Sequence, residues 1–354
     1  MKTFFKKIYK SLIYFISKIF YGEIDLNRKF IKRKKIKSNL FGKNSNYYFY
    51  ELENIRVYTD GHENVSLIRD KKLLDHVSYQ QINGRIVDNK FNQVLKTGTP
   101  KLLKKFNGKT IMLAQGASGY SNYSHWLFDI LPRIKLFSLA YKMKTDFIYL
   151  TSPNKFQRET LKILGFGNLK FINSKKYRHI LCEKLFFCTH PVYNKGTIME
   201  AQSKIPVWII KYIKKKFNFL INKNRKEKIK IFIDRSDSTY SHCKLINNEE
   251  IKKHLIDKGF KVLKLSELSF KEQINKFNNA SIVIGPHGAG FANLIFCKKK
   301  TKIVEIRPTT NPNNVYKRIS QINNLSYKLI KLPAIKHDLN GDMILNKKIL
   351  DKNI

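Results

Sequence analysis

From about residue 146 onward, short apolar runs alternate with stretches whose apolar positions recur every three to four residues. Asp146–Leu150, Leu169–Ile172 and Lys184–Cys188 read as strands, with a helix over Lys155–Leu164. The second half repeats this more clearly. Strands are expected over Ile229–Ile233, Lys261–Leu265, Ser281–Ile284 and Lys302–Ile306. A helix runs from Asn247 to Lys258, where Gly259 ends it, and Ser269–Phe270–Lys271–Glu272 is a capping box for a helix reaching Phe277. Such alternation predicts α/β architecture, a parallel sheet with helices on its faces. Pro206–Phe217 reads as an amphipathic helix joining two halves, and the polar run Asn222–Glu227 as the linker. Upstream, Tyr47–Tyr50, Ile55–Tyr58, Asn64–Ile68 and Lys109–Leu113 look like short strands.

The first 37 residues follow a different pattern. Lys2, Lys6, Lys7, Lys10 and Lys18 are interleaved with Phe4, Phe5, Ile8, Leu12, Phe15, Ile16, Ile19 and Phe20. Lys18 leaves the apolar run too short to span a bilayer, and no small-residue cleavage site follows. A basic amphipathic helix lying on an anionic membrane fits this pattern, helped by Arg28–Lys29 and Lys32–Lys35. A helix packed on its own domain with solvated lysines is the competing reading.

Composition narrows the classes. With 354 residues and 42% hydrophobic content the chain is globular and long enough for two domains. The net charge of +43 suits a polyanion-binding surface, but lysine, asparagine and isoleucine crowd the whole chain, and no nucleic-acid-binding motif accompanies the charge. Specific nucleic-acid binding is therefore not expected. Cys182, Cys188, Cys243 and Cys297 lack CxxC spacing and read as reduced, buried residues rather than a disulfide frame or zinc site.

Two stretches carry candidate chemistry. The strand Ser281–Ile284 breaks into Gly285–Pro286–His287–Gly288–Ala289–Gly290, and an apolar helical segment follows from Phe291 to Cys297. Glycines let a backbone approach a ligand, and helix-start N–H groups favour an anion, so this turn suits the phosphates of a nucleotide-linked substrate. Ligands bind beyond the carboxyl ends of parallel strands, and three such ends carry Arg235, His287 and Glu305. Arg235 suits a phosphate, and Glu305 suits sugar hydroxyls or a structural arginine partner. The other stretch follows the polar loop Gln115–Ser124. With Ser124 as N-cap, His125 opens a helix, His125 and Asp129 share a face, and Pro132 kinks or divides it. A His–Asp pair there suits deprotonation of a hydroxyl, or serves only to fix the helix.

These residues resemble glycosyltransferase family 61, whose bacterial members are often capsular polysaccharide biosynthesis proteins. The resemblance rests on Tyr123–Arg133, on Arg235–Ser236 leading to Leu245–Glu249, on Leu268–Gln273, and on Ile284–Gly290 through Asn293 to Glu305. It departs in one place. The family usually has a second arginine after the Arg235 position, whereas Asp237–Lys244 offers only His242 and Lys244. The resemblance implies a GT-B fold of two Rossmann-like domains facing a cleft. That arrangement divides the chain into a membrane-surface segment (1–37), an acceptor-side domain (38–204), a connecting helix and linker (205–227), a nucleotide-sugar domain (228–310) and a C-terminal segment (311–354). It implies inverting transfer of a sugar from a nucleotide-sugar donor to a glycan or glycolipid acceptor, at the cytoplasmic face of the plasma membrane. The chain has no Asp-x-Asp, so neither a metal nor a further cofactor is expected. Donor contacts are carried onto Arg235, Ser236, Gly285, His287, Gly288, Ala289, Gly290, Asn293 and Glu305. Asp129 is the first choice of base and His125 the second. A non-catalytic sugar-nucleotide-binding relative and a basic nucleic-acid-binding protein are the alternatives.

Overall fold

Two units divide the chain between Ala201 and Gln202. The computed structural model describes residues 2–42, 46–61, 63–114, 122–193, 195–224, 227–238, 242–335 and 341–354. Most of the expected loop before the His125 helix, residues 115–121, lies outside the described residues, as does part of the expected linker.

The first unit contains α1 (Lys2–Tyr21), β1 (Asp25–Asn27), β2 (Lys34–Lys35), β3 (Tyr48–Thr59), β4 (Val65–Arg69), β5 (Lys72–Leu74), β6 (Gln81–Ile82), β7 (Arg85–Ile86), α2 (Val94–Thr97) and β8 (Lys104–Met112). There follow α3 (Tyr123–His125), a π-helical segment (Trp126–Ile130), α4 (Leu131–Ala140), β9 (Phe147–Leu150), α5 (Lys155–Ile163), β10 (Lys170–Asn173), β11 (His179–Cys188) and β12 (Gly196–Thr197), with α6 (Ile198–Ser203) at the boundary. The large sheet runs β1-β5-β4-β3-β11-β8-β9-β10, with β2 added on β3. From β11 to β10 all neighbours are parallel, whereas β3 is antiparallel to both β11 and β4. This sheet is therefore mixed: its β11 to β10 part follows the expected parallel pattern, and of the rest only the edge pair β1–β5 is parallel. Leu52, Ile55, Val57, Leu67, Tyr149, Ile180 and Leu185 form its core. The two short strands expected near Tyr47 and Ile55 are one strand, β3. It passes through Asn54 in the left-handed region (φ 48°), a conformation that asparagine tolerates better than most residues.

Helix α1 buries Ser17 but leaves Phe4, Phe5, Ile8, Leu12, Phe15, Ile19 and Phe20 exposed. Among the described residues no helix is long and apolar enough to cross a membrane.

The second unit contains α7 (Val207–Phe217), β13 (Ile229–Asp234), α8 (Asn248–Asp257), β14 (Phe260–Lys264), α9 (Phe270–Asn278), β15 (Ala280–Pro286), a 3-10 helix (Ala289–Phe296), β16 (Lys302–Pro308), α10 (Val315–Ile322), β17 (Ser326–Leu332) and α11 (Lys347–Asp351). Its sheet, β14-β13-β15-β16-β17, is parallel throughout. Helix α7 buries Trp208, Ile209, Ile210, Ile213 and Phe217, and Phe217 packs edge-on against Phe270 of α9. It therefore belongs to this unit rather than joining two halves. Residues 311–354 supply α10, the last strand and α11. The strand order reverses between β13 and β15, and the crevice at such a switch point is where open α/β sheets hold ligands. Both Arg235 and the His287 turn lie just past the strands on either side of it.

The capping box at α9 forms as expected, with Ser269 Oγ and the Glu272 carboxylate each accepting from the other residue's backbone N–H. Ser269→Ala removes one of these acceptors. Urea unfolding of the second unit should register a loss of about 1 kcal/mol.

Candidate functional site

Helix α3 starts two residues earlier than expected. Asn122 is the N-cap, its side chain accepting from the His125 N–H at 3.1 Å, and Ser124 is buried within the turn. Pro132 does not end the helix, since helical residues run unbroken from Tyr123 to Ala140. A proline lacks an N–H and crowds the carbonyl four residues back. Here the chain widens into the π segment, where the Leu131 N–H reaches the Trp126 carbonyl, and Pro132 falls in the first turn of α4.

His125 and Asp129 meet across this widened turn, with Nδ1 and Oδ2 2.6 Å apart. The Tyr193 hydroxyl, reached by the chain just after β11, donates to the same Oδ2 at 2.8 Å. Asp129 is 1% exposed and the His125 side chain 13%. Burial alone would raise the Asp129 carboxyl. The charge and hydrogen bond of His125, the nearby His190 and the Tyr193 hydroxyl outweigh it and hold the group below its ordinary value. An ionised carboxylate is an acceptor only, so Nδ1 of His125 carries the proton it donates and Nε2 becomes the ring's basic atom.

A second layer surrounds the pair. His190 stacks on the Tyr193 ring, centroids 4.1 Å apart and planes at 10°. Its Nδ1 accepts from the N–H groups of Val192 (3.2 Å) and Tyr193 (2.9 Å), which places its ring proton on Nε2. That Nε2 is buried and meets no partner among the described residues. Desolvation pushes His190 down to about 3 despite the pull of Asp129. Arg133 donates to the carbonyls of Asp129 (3.2 Å) and Leu113 (3.0 Å), and burial lowers it to about 10 although Asp129 works the other way. Burial, and then the Asp129 charge, raises Tyr79.

In the second unit His287 and Glu305 are brought together. The His287 ring Nδ1 pairs with Glu305 Oε1, and the Tyr327 hydroxyl donates to Oε2. Glu305 is fully buried. Its partners are thus a histidine and a tyrosine, not the arginines considered from sequence. The His287 N–H donates to the Ile306 carbonyl at 2.8 Å, and its ring lies 5.1 Å from that of Tyr316. The guanidinium of Arg235 donates to the carbonyls of His242 (3.0 Å) and His287 and to Ser238 Oγ (3.1 Å). Burial lowers its pKa. Gly288 is needed by this arginine, because a Cβ there would collide with the guanidinium. A Cβ on Gly290 would lie 2.6 Å from Leu265 Cδ1, and one on Gly285 3.0 Å from Ile233 Cβ, so these glycines permit close packing of strand and turn.

The remaining expected residues have local partners. Ser236 donates through N and Oγ to Asp234, which also accepts from Asn248 and lies 3.4 Å from Lys252 Nζ. Asn293 is buried and donates to Gln273 of α9 and to the Gly290 carbonyl, tying the turn to that helix. Ala289 begins the 3-10 helix, which replaces the helix expected from Phe291. All four cysteines are buried and unpaired. Among the described residues no three His, Cys, Asp or Glu side chains cluster as a metal site.

Tyr193, His190, Asp234 and Tyr327 were not singled out from sequence, and Arg307 was considered only as a partner for Glu305. Tyr193 and His190 follow the carboxyl end of β11, so the strand-end rule applied in the second half would have found them. A folded-state pKa below the unfolded one stabilises fully above the unfolded value and is lost as pH falls through the folded value. His190 therefore loses stability for the fold between about pH 6.5 and about 3, with a slope of at most about 1.4 kcal/mol per pH unit. Urea midpoints measured across that range should fall more gently in His190→Gln than in the wild type.

Residues 123–304 match the model of the family described as Glycosyltransferase 61. Over 69 residues the chain is 35% identical to the Beta-1,2-xylosyltransferase RCN11 of Oryza sativa subsp. japonica, a stretch covering 20% of this chain and 13% of that protein. The family match takes in the His125–Asp129 turn, Arg235 and the His287 turn, and ends one residue before Glu305. The chain belongs to the glycosyltransferase 61 family.

Proposed function

We propose that the chain is an inverting, metal-independent glycosyltransferase, moving a sugar from a nucleotide-sugar to a hydroxyl of a glycan or lipid-linked acceptor. The observation that carries this reading is the 2.6 Å contact between His125 Nδ1 and the buried Asp129 carboxylate. It makes His125 Nε2 the base and Asp129 the group that orients it and offsets its charge, the reverse of the order expected from sequence. Nε2 takes the proton of the acceptor hydroxyl. The acceptor oxygen then forms its bond to the anomeric carbon as the bond to the diphosphate breaks and the diphosphate departs with the electron pair. Attack opposite the leaving group inverts the centre.

On the donor side, the turn at the β13–β15 switch point supplies the start of the Ala289–Phe296 helix and the His287 edge to the departing charge. Acceptor chemistry thus falls to the first unit and donor binding to the second, the division that a GT-B fold implies. The xylosyl transfer in the name of the Oryza sativa protein makes xylose the first donor sugar to try.

The exposed apolar side chains of α1, interleaved with Lys7, Lys10 and Lys18, support a further reading. The enzyme sits on the anionic inner face of the plasma membrane, where lipid-linked acceptors of surface polysaccharides such as capsule or lipopolysaccharide are built.

His125→Ala and Asp129→Asn should each cut the transfer rate by about 10²- to 10⁴-fold. Full rates in both would end the base assignment. A thermal-shift panel of UDP, GDP, CDP and CMP, with and without EDTA, should show one nucleotide raising the melting temperature regardless of EDTA, with the shift lost in His287→Ala. A shift without turnover of any sugar donor would instead favour a non-catalytic relative. Cosedimentation with phosphatidylserine vesicles, but not with phosphatidylcholine vesicles, should fall sharply in Phe5→Ser/Phe15→Ser.

A further inference from the structure

The turn after β13 and the end of β16 each hold an arginine, and the two are satisfied very differently. Among the described residues three hydrogen bonds occupy the Arg235 guanidinium, and they hold its own loop and the His287 turn. Arg307 lies two residues beyond Glu305 on β16, so both side chains leave the same face of the strand. It is 2% exposed. Its Nη2 donates to Asn314 Oδ1 at 3.3 Å, while Nε and Nη1 are buried and meet no hydrogen-bond partner among the described residues.

A guanidinium keeps its charge at any ordinary pH, so burial cannot neutralise it. The nearest carboxylate on its strand face, Glu305, is already committed to His287 and Tyr327. The arrangement holds more positive charge than it can use. Arg307 acts electrostatically on Tyr327 and Cys243, and Arg235 acts on the same Cys243, so both guanidiniums lie near that buried thiol. The N–H groups on Nε and Nη1 lie on different edges of the guanidinium and point in different directions. They call for two acceptor oxygens several ångströms apart, which a diphosphate carries and a monatomic anion does not.

We propose that Arg307 is a ligand for the donor diphosphate, its Nε–H and Nη1–H each meeting a phosphate oxygen, and that Arg235 shapes the turn rather than binding the anion directly. This rests on the reading of the second unit as the donor site. It differs from a structural role for Arg307 in one measurable respect. An arginine that serves the fold loses stability when replaced by an apolar side chain of similar length, whereas one kept for a ligand leaves the unliganded fold more stable when replaced.

The test is calorimetric titration of UDP, GDP, CDP and inorganic pyrophosphate into the wild type, Arg307→Met and Arg307→Lys, with melting temperatures of the unliganded proteins. The expected result is that the nucleotide bound by the wild type binds at least 30-fold more weakly to Arg307→Met and to an intermediate extent to Arg307→Lys. The unliganded Arg307→Met should melt at or above the wild-type temperature. Binding to Arg307→Met within threefold of wild type, or a clear fall in its unliganded melting temperature, overturns the assignment. If the wild type binds pyrophosphate but no nucleotide and Arg307→Met loses it, the anion site stands and the donor reading fails. If the wild type binds none of the four, both fail.

Discussion

A carboxylate buried inside a parallel sheet constrains everything around it. Glu305 sits on β16 without solvent contact, and an ionised group there is tolerated only with partners on both oxygens. His287, just past the end of β15, meets one oxygen, and Tyr327 of β17 meets the other. That requirement fixes the path of the chain leaving β15. The His287 N–H is then held by Ile306, its carbonyl by Arg235, and the next residue must be glycine to let the guanidinium pass. Asn293 and Gln273 secure the far side of the turn to α9. A glycine-rich turn that looks from its sequence like a ligand cradle is thus largely dictated by internal packing.

The same chemistry recurs in the first unit, and its consequences differ. Asp129 is as deeply buried as Glu305, and it too is satisfied by a histidine and a tyrosine. There the histidine lies in the first turn of a helix rather than just past a strand, and its ring keeps some exposure. The π segment sets the pair's geometry. By accommodating Pro132 without a break, it keeps His125 and Asp129 on one rigid element, with Arg133 pinning the Asp129 carbonyl from the next turn.

Legibility followed the range of the interaction. The βαβ strands of the second unit could be read because a strand buried on both faces is a continuous apolar run, whatever it pairs with. The strand-end rule then pointed to Arg235, His287 and Glu305, and the i,i+4 spacing to His125 and Asp129. The partners of Glu305 could not be read, since Tyr327 lies 22 residues away on a strand assigned to a trailing segment. Tyr193 is 64 residues from Asp129. Nothing local in either stretch encodes the pairing. The antiparallel strands β3 to β5 gave weak signals because Glu51, Glu53 and Asn54 interrupt the apolar pattern of β3. Pro132 reads as a kink or a division because a proline breaks the α-helical hydrogen-bond ladder, and nothing in the residue pattern announces the π segment that accommodates it.

The large positive charge and the chemistry of the sites belong to different side chains. Of 69 lysines and arginines against 26 acids, most are lysines on exposed surfaces, some in pairs such as Lys261–Glu227 and Lys347–Glu250. Exposed pairs of this kind contribute little to stability. Among the described residues the fully buried lysines and arginines are both arginines, Arg133 and Arg307. A guanidinium is more weakly hydrated than an ammonium and carries several donors in fixed directions, so it can be buried where lysine cannot. The lysine field acts at a distance and decays over about 8 Å in physiological salt. It can gather anions such as nucleotides or acidic lipid without selecting among them. Selection falls to the few buried groups whose directions are fixed, and their fields are much less screened by salt. The net charge therefore sets how strongly anions of any kind are drawn to the surface, whereas a buried guanidinium acts only on what comes within reach of its fixed donors.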